Sequence, residues 1–440
     1  MNNTTPINKK IVDQKISESG IAQVGKAAIR ELVTLVNSIE AETGEKYIRM
    51  EMGVPGLPSP KIGIEAEIEA IKNGATAKYP LLEGIPEIKK ETSKFAKNFL
   101  GIDINPAGIY PTTGSLQGSL ACFITIDRMF ADRDTTLFLD PGFPLHKQQI
   151  SVIRQKVESF DVYDYRGEKL RAKLDEVLSK GNIHSILYSN PNNPSWICFT
   201  DNELKIIGEM ADKYNVVIIE DLAYFSMDFR NDISKPGVPP YQASVANYTD
   251  NYIILFSASK LFSYPGPRLG LMMISNKLQT LKVPELKNSF NSDVFGYCML
   301  FGVLYPLSAG ASNSAQYGIA AILEAVNKGK YSIREDVIEY GKRAHIVKKL
   351  FIKYGFHIVY DKDEDKDIAD GFYFTIAYPS FEGVDLVKEL LYYGISAISL
   401  LTTRSTRTEG LRACVSFTLR EQFPTLEERL KRFQEDHLVN

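Results

Sequence analysis

A lysine that is preceded by two serines and followed by an arginine is the strongest chemical signal in this sequence. Lys260 lies just beyond an apolar run, with Ser257 and Ser259 before it and Arg268 eight residues further on. Burial or a neighbouring cation lowers the pKa of a lysine, and the neutral amine forms a Schiff base with an aldehyde. Hydroxyls and a guanidinium bind a phosphate dianion. A lone lysine after a strand is usually a surface residue, but this combination predicts a site for a phosphorylated aldehyde cofactor.

A second segment, YPTTGSLQGSL at residues 110–120, places glycine and serine at the start of a helical pattern. Helix N-termini carry free N–H groups and a partial positive charge. The backbone amides of Gly114, Ser115 and Leu116 are therefore candidates for binding the same phosphate. A serine or threonine before a helix is more often only an N-cap, so this segment supports the site without defining it.

The segment IIEDLAYF, residues 218–225, places Asp221 after an apolar run and Tyr224 three residues later. A cofactor that acts as an electron sink needs a protonated ring nitrogen, which a buried carboxylate favours. Glu220 should point to the opposite face of the strand and is interpreted as structural. Tyr224 is a candidate hydrogen-bond donor to a ring oxygen, although a tyrosine after a strand more often only packs.

Other residues have suitable chemistry but weaker signals. Asn193 lies in a double Asn-Pro turn, where its amide can donate a hydrogen bond or the turn is simply rigid. Phe143 offers an aromatic face, and His146 is a possible partner for a carboxylate, although a lone histidine is more often structural. Arg412 lies in a strand-like run and could bind a substrate carboxylate through two parallel hydrogen bonds. Residue type alone leaves three competitors for that role, Arg404, Arg407 and Arg420.

The elements that must position these residues follow from the hydrophobic pattern. Between about residues 110 and 275, short apolar runs alternate with helical patterns, which is typical of βαβ units and a mainly parallel, buried sheet. Ligands bind at the carboxyl ends of such strands, where most of these polar residues lie. The predicted strands are 136–139, 185–189, 216–220, 252–256 and 269–274, and a crossover helix is predicted over 115–130.

We predict a division into an N-terminal segment that forms part of a small domain (1–62), a large cofactor-binding domain (63–318) and a C-terminal small domain (319–440). A long amphipathic helix is predicted over residues 319–351, with a break near Gly329. The charged run 361–367 is interpreted as a solvated loop.

The bulk composition favours small-molecule chemistry. The 440 residues include 51 basic and 54 acidic ones, a net charge of -3, which argues against a nucleic-acid or membrane partner. The four cysteines are far apart and lack a C-x-x-C pair, which argues against a metal site or a disulfide framework. No stretch reaches the ~18 apolar residues of a membrane span, and no signal peptide is evident. The sequence therefore predicts a cytoplasmic protein.

Taken in this order and spacing, the segments resemble the fold type I enzymes that use pyridoxal 5′-phosphate (PLP), in particular the class I/II aminotransferases, over nearly the whole chain. The resemblance implies an α/β fold with a mainly parallel sheet sandwiched by helices, and a smaller α+β domain formed by both termini. It also implies an enzyme that moves an amino group between an amino acid and a 2-oxo acid.

The resemblance assigns roles to the candidate residues. Lys260 would bind PLP as a Schiff base and act as general base, Asp221 would pair with the pyridinium nitrogen, and Arg412 would bind the substrate α-carboxylate. By the same resemblance, Tyr224 and Asn193 would hydrogen-bond the ring oxygen, and Phe143 would stack on the ring. His146 would support the carboxylate of Asp221. The phosphate would be bound by Ser257, Arg268 and the backbone amides of Gly114, Ser115 and Leu116.

Two further segments match the family. Tyr79 in KYPLLEGIPEIKK matches a Tyr-x-x-x-x-Gly segment whose tyrosine reaches the phosphate of the neighbouring subunit, which implies a homodimer with shared active sites. Gly53 in EMGVPGLP resembles the glycine of a mobile loop that closes over the substrate.

The sequence departs from the family pattern in two places. Ser195 and Trp196 follow YSNPNNP, where the family usually has Thr-Gly. The segment KNSFNSDVFGY, within residues 285–300, has no arginine, whereas dicarboxylate-specific members place a ligand for the side-chain carboxylate there. This argues against aspartate or glutamate as substrate.

Two other functions stay open at this point. A PLP-dependent lyase that eliminates a β-substituent, for instance by cleaving a C–S bond, uses the same cofactor and is not separated by sequence. A non-catalytic, aminotransferase-like sensor or regulator is the alternative of another class. Such regulators carry an added DNA-binding region, but no basic helix-turn-helix pattern precedes the cofactor domain here.

Overall fold

The computed structural model describes residues 5–437, which divide into two compact units. The larger unit comprises Leu57–Asn192 and Cys198–Val337. The smaller unit comprises the described residues up to Gly56, the short segment Asn193–Ile197, and the described residues from Ile338 onward. No helix over residues 5–437 is long and apolar enough to cross a membrane.

The strands are, in chain order, β1 (Ile48–Arg49), β2 (Ile109–Thr112), β3 (Thr135–Asp140), β4 (Lys156–Asp161), β5 (Ile183–Ser189), β6 (Val217–Leu222), β7 (Tyr252–Ser257), β8 (Gly270–Ile274), β9 (His357–Ile358), β10 (Lys362–Asp363), β11 (Lys366–Asp367), β12 (Tyr373–Ala377), β13 (Ile395–Ser396), β14 (Ile398–Ser399) and β15 (Leu411–Cys414).

The α-helices are α1 (Lys9–Ser19), α2 (Ile29–Thr43), α3 (Lys61–Lys72), α4 (Pro86–Leu100), α5 (Ser115–Asp127), α6 (Pro144–Val152), α7 (Lys169–Leu178), α8 (Asp201–Tyr214), α9 (Ala258–Leu261), α10 (Asn276–Thr280), α11 (Phe295–Tyr297), α12 (Tyr305–Ser308), α13 (Asn313–Asn327), α14 (Ile338–Lys353), α15 (Gly383–Tyr392) and α16 (Phe423–His437). A π-helix, Cys298–Leu304, joins α11 to α12.

The larger unit is built on a seven-stranded sheet with strand order β2-β8-β7-β6-β5-β3-β4. The run from β7 to β4 is parallel, and β8 is antiparallel to both of its neighbours. Every residue of β3, β5, β6, β7 and β8 is buried, as expected for strands covered by helices on both faces, which read as continuous apolar runs. The predicted fold class, a mainly parallel sheet flanked by helices, is confirmed.

The register of this sheet aligns the polar strand ends. Ser257 of β7 pairs with Gly270 of β8, which in turn pairs with Thr112 at the end of β2. On the other side of β7, Asp221 of β6 lies opposite Leu255 and Ser189. The segments after β2, β6 and β7 therefore start at one edge of the sheet, which is where the sequence placed the cofactor.

The smaller unit contains strands and helices from both ends of the chain. Its antiparallel sheet has the order β14-β15-β12-β9. The N-terminal strand β1 pairs in parallel with β13, with Ile48 opposite Ile395. The hydroxyl of Tyr47 also donates a hydrogen bond to the carbonyl oxygen of Leu391 at 2.7 Å. These bonds attach the N-terminal segment to the C-terminal half of the sequence.

The five predicted strands are all present, with ends that differ by at most two residues, but two strands of the large sheet were missed. Strand β2 contains Pro111, which weakens a strand signal because proline cannot donate to a ladder. Strand β4 lies at the edge and is largely exposed, so it has no apolar run. Asp221 lies inside β6, not after it.

The helix predicted over 319–351 is in fact two helices that belong to different units. Helix α13 packs against α3 and α4 in the larger unit, whereas α14 begins the part of the chain that lies in the smaller unit. Gly329 follows α13 with a φ of +65°. The larger unit therefore extends to Val337, past residue 318, where the sequence placed its end.

The charged run 361–367 is a hairpin and not the loop that was predicted. Strands β10 and β11 are antiparallel, with Lys362 opposite Asp367 and Asp363 opposite Lys366. Most of the hairpin is exposed, although Asp363 is buried. Alternating charges that pair across the two short strands explain why a solvated segment still forms a ladder.

Candidate active site

Lys260 lies in the short helix α9, directly after β7. Ser257 is the N-cap of this helix, and its hydroxyl oxygen accepts a hydrogen bond from the backbone N–H of Ser259 at 3.3 Å. Both serines are buried, whereas Lys260 is partly exposed. A strand that turns immediately into a capped helix fixes this lysine at the carboxyl edge of the sheet.

Asp221 is a buried carboxylate near the end of β6. Its Oδ1 atom accepts a hydrogen bond from the backbone N–H of Ala223 at 3.1 Å. Burial raises the pKa of Asp221 to about 7, and this hydrogen bond opposes the shift only in part. A carboxylate in such a place is stabilised by a nearby positive charge.

His146, near the start of α6, lies beside Asp221, and Phe143, the N-cap of α6, packs against His146. The Nε2 atom of His146 is 3.9 Å from Oδ2 of Asp221. Burial lowers the pKa of His146 to about 4, so the imidazole is neutral near pH 7. The ring of Phe143 meets the imidazole edge-to-face, with centroids 5.6 Å apart. The structure thus brings these three predicted residues together.

Two glycines bring the start of α5 close to Arg268. Gly114, the N-cap of α5, has a φ of +71°, and a Cβ atom there would lie 2.6 Å from Nη2 of Arg268. A Cβ atom at Gly270 would lie 2.8 Å from the backbone nitrogen of Ser115. The Arg268 guanidinium therefore lies next to Gly114 at the start of α5, the helix whose first N–H groups, including that of Leu116, are the predicted phosphate ligands. This is the arrangement that phosphate binding needs.

Tyr224 and Tyr79 also lie in the larger unit. Tyr224 is buried in the turn after β6. The side chain of Tyr79, in the segment before α4, is 91% exposed, and no contact described within residues 5–437 joins it to the other candidates.

The donor set of the larger unit fits PLP. A lysine amine suits the aldehyde, a buried carboxylate suits the pyridine nitrogen, and an arginine with helix N–H groups suits the phosphate. The buried Asp221 carboxylate, with its raised pKa, is the feature that a bound cationic ring would explain. Within residues 5–437, no group of three or more His, Cys, Asp or Glu side chains has the arrangement of a metal site.

Arg412 lies in β15 of the smaller unit and is buried. Its Nη1 atom donates a hydrogen bond to Oδ1 of Asn193 at 3.3 Å, and Nη2 donates to the carbonyl oxygen of Glu51 at 2.7 Å. Its buried Nε atom has no hydrogen-bond partner among the described residues. A buried guanidinium held only by neutral oxygens is suited to binding an incoming carboxylate.

The structure separates Arg412 from its three competitors. Arg404 is exposed at the end of a short turn. The guanidinium of Arg407 lies over the ring of Tyr360, and Arg420 forms an exposed ion pair with Glu339 at 2.8 Å. Arg412 alone of the four is fully buried, which supports the prediction made for it.

Sequence reasoning missed Tyr373, which links two predicted residues of the smaller unit. Its ring lies under the Arg412 guanidinium, with a centroid distance of 4.5 Å. A Cβ atom at Gly53 would lie 2.2 Å from the Tyr373 hydroxyl oxygen. The segment GFYFTIAY predicts a strand but gives no sign of which aromatic ring contacts a charge.

The fold and these side chains define a PLP-dependent transferase of fold type I. Residues 45–362 match the family of aminotransferases of class I and II, and the chain belongs to this family. It is similar to a probable aspartate aminotransferase of Methanocaldococcus jannaschii, with 25% identity over 74% of this chain and 85% of the relative. An LL-diaminopimelate aminotransferase of Aquifex aeolicus is 28% identical over 60% of this chain and 66% of the relative.

Solved structures show the same fold. An alanine aminotransferase from Pyrococcus furiosus superimposes with a TM-score of 0.73 and 20% identity, over 96% of this chain and 99% of that one. The chain is therefore a PLP-dependent aminotransferase, which transfers amino groups between amino acids and 2-oxo acids. The lyase and the regulator that the sequence left open are not favoured.

Proposed function

We propose that Lys260, Asp221 and Arg268 form the PLP site of this aminotransferase and that Arg412 binds the α-carboxylate of its amino-acid substrate. The buried carboxylate of Asp221, with its raised pKa, carries the proposal. When bound, PLP supplies an electron sink for the pair of electrons left at the substrate Cα. The protein supplies charge, orientation and proton transfer.

Asp221 holds the proton on the ring nitrogen. A cationic N–H beside this buried carboxylate would lower its pKa from about 7 towards the usual range, because each charge stabilises the other at low dielectric. His146 stays neutral at the same pH, so it packs beside the carboxylate without competing as a cation. Phe143 is expected to cover one face of the ring.

Lys260 moves the substrate proton. Its amine would hold the cofactor, and the same amine, when free, would take up and release the proton of the substrate Cα, while the cofactor would supply the electron sink. The capped turn Ser257–Ser259 fixes the lysine directly after β7. Tyr224 and Asn193 are proposed to hydrogen-bond the ring oxygen, and the Arg268 guanidinium and the first N–H groups of α5 to bind the phosphate.

We propose that the amino donor carries a neutral side chain. The cation in the 285–300 segment is Lys287, an exposed residue in an ion pair with Asp293 at 3.0 Å. A second carboxylate on the substrate would need a cation in this segment that is not already paired with an acidic side chain. The segment also lacks the arginine that dicarboxylate-specific members of the family have there. Alanine-like or larger apolar amino acids are therefore expected to be better donors than aspartate.

We also propose that the enzyme is a cytoplasmic homodimer in which Tyr79 reaches the phosphate of the partner subunit. Tyr79 is 91% exposed, and three further aromatic side chains of the larger unit, Tyr297, Phe301 and Tyr305, are 41–51% exposed. Large exposed aromatic rings on one compact unit are typical of a surface that a second copy covers.

Replacement of Lys260 by alanine tests the site. We expect Lys260→Ala to lose turnover and to lose the lysine-linked visible absorbance, which borohydride reduction bleaches as it fixes the cofactor to the protein. Lys205→Ala, on the exposed face of α8, is the matched control and should retain both. If Lys260→Ala kept both properties, Lys260 would not be the residue that binds the cofactor.

A further inference from the structure

We infer that Trp196, through Tyr373, is a positioning residue for the carboxylate-binding guanidinium of Arg412. This inference rests on the proposed role of Arg412. Trp196 stands where the family pattern has glycine, and it is the only tryptophan in the chain. It lies in Asn193–Ile197, the short segment that belongs to the smaller unit.

The backbone at Trp196 has a conformation that favours glycine. Its φ is +66°, in the left-handed region, which is unfavourable for a bulky L-residue. The side chain offsets this cost through burial, because its exposed fraction is 0%. A large indole held at a strained position indicates that its contacts, and not the turn, determine the residue found there.

Those contacts lead to Arg412. A Cβ atom at Gly371 would lie 2.0 Å from Cε2 of Trp196, so the indole lies directly on the Gly371 backbone. The indole meets the ring of Tyr373 edge-to-face, with centroids 6.0 Å apart and an interplanar angle of 69°. The Tyr373 ring in turn supports the Arg412 guanidinium at 4.5 Å. The three side chains form a continuous stack within one unit.

The same stack holds the other partners of the arginine. Asn193, three residues before Trp196, accepts a hydrogen bond from Arg412, so anchoring the indole fixes this amide beside the guanidinium. The Tyr373 hydroxyl lies against Gly53, the loop glycine predicted to close over substrate. Trp196 therefore orients the guanidinium without needing to touch the substrate.

Two carbonyl reagents measure the carboxylate site directly. Aminooxyacetate and O-methylhydroxylamine both react with the cofactor's aldehyde carbon and change its visible absorbance, but only aminooxyacetate carries a carboxylate. The ratio of their second-order rate constants, measured on the holoenzyme, reports how well Arg412 binds that carboxylate. A purely structural defect would slow both reagents alike.

We expect Trp196→Gly and Tyr373→Leu to lower this ratio about tenfold, in line with the loss of a buried cation–π support. Trp196→Phe keeps an aromatic edge and should stay within about threefold of the wild type. The amino-acid KM should rise in parallel, with a smaller change in kcat. In Tyr373→Leu, the emission of Trp196 reports whether the indole is still buried.

Arg412→Lys separates the inference from the proposed function. A ratio that falls in Arg412→Lys but is unchanged in folded Trp196→Gly and Tyr373→Leu would overturn the positioning role alone. A ratio unchanged in Arg412→Lys as well would show that Arg412 does not bind the carboxylate, and the inference would fail with it. Neither outcome affects the Lys260 test, which depends on the cofactor absorbance.

Discussion

Oδ2 of Asp221 lies 3.9 Å from Nε2 of His146, and both side chains are buried. The two groups do not form an ion pair, because burial disfavours the charged form of each. Burial raises the pKa of Asp221 to about 7 and lowers that of His146 to about 4. Both shifts disfavour charge, so between pH 4 and 7 the pair tends to be neutral. A cation that binds beside Asp221 would therefore stabilise the charged form of this carboxyl group.

The first prediction concerns the pH dependence of the cofactor-free protein. Asp221 has a higher pKa folded than unfolded, so its contribution is fully present below about pH 4 and is lost as the pH rises through 7. Asp221→Asn removes this loss. We expect the apoprotein variant to be more stable than the wild type at pH 8, by up to about 4 kcal/mol, and little different at pH 4, in urea unfolding.

The two proteins share Glu220, whose pKa burial also raises to about 7, so its effect cancels in the comparison. Added PLP should reverse the order at pH 8, because only the carboxylate pairs with the ring nitrogen. A constant difference between the variants at both pH values would contradict this account of Asp221.

The second prediction compares two glycines that both have a positive φ but differ in what lies beside them. Gly114 and Gly20 have φ values of +71° and +68°, but only at Gly114 would an added Cβ atom have a neighbour within 4 Å, the Arg268 guanidinium. Both Gly→Ala variants should lose stability, about 1 kcal/mol at Gly20 in the left-handed region and more at Gly114, whose ψ of 163° is adopted almost only by glycine. Only Gly114→Ala should raise the Kd for PLP, about tenfold or more. Equal PLP affinity in the two variants would remove Arg268 and Gly114 from the phosphate site.

The third prediction concerns the substrate carboxylate. Arg412→Lys keeps the charge but loses the planar fork that makes two parallel hydrogen bonds. We expect steady-state kinetics to show a KM for the amino acid raised at least tenfold. Arg420→Lys, whose arginine pairs with Glu339 on the surface, is the control and should change KM less than twofold. Similar effects in both variants would indicate a general loss of stability.

The fourth prediction tests the homodimer. Tyr79→Phe and Lys260→Ala should each be impaired as pure proteins. If Tyr79 acts in the partner's site, a mixed dimer contains one site with both wild-type residues, so mixing after partial unfolding should restore up to half of the wild-type activity per mixed dimer. No recovery, with mixed dimers confirmed by native mass spectrometry, would place Tyr79 in its own subunit's site.

The sequence alone determined five of the seven strands of the large sheet and the polar residues near the carboxyl ends of its strands. Lys260 and Asp221 could be placed because apolar runs mark buried parallel strands and polar residues follow at their ends. These signals lie in short stretches of sequence, so they can be recognised without knowing which residues are in contact in the folded protein. The segment at Gly114 that is proposed to bind the phosphate was predicted in the same way, from the start of a helix.

Only the tertiary structure decided which side chains surround Arg412. Four arginines had equal claims by residue type, and burial beside Asn193 and Glu51 selected one. The stack of Trp196, Tyr373 and Arg412 joins residues from three distant parts of the sequence. No local pattern encodes such contacts, because they depend on how strands and loops pack after the chain has folded.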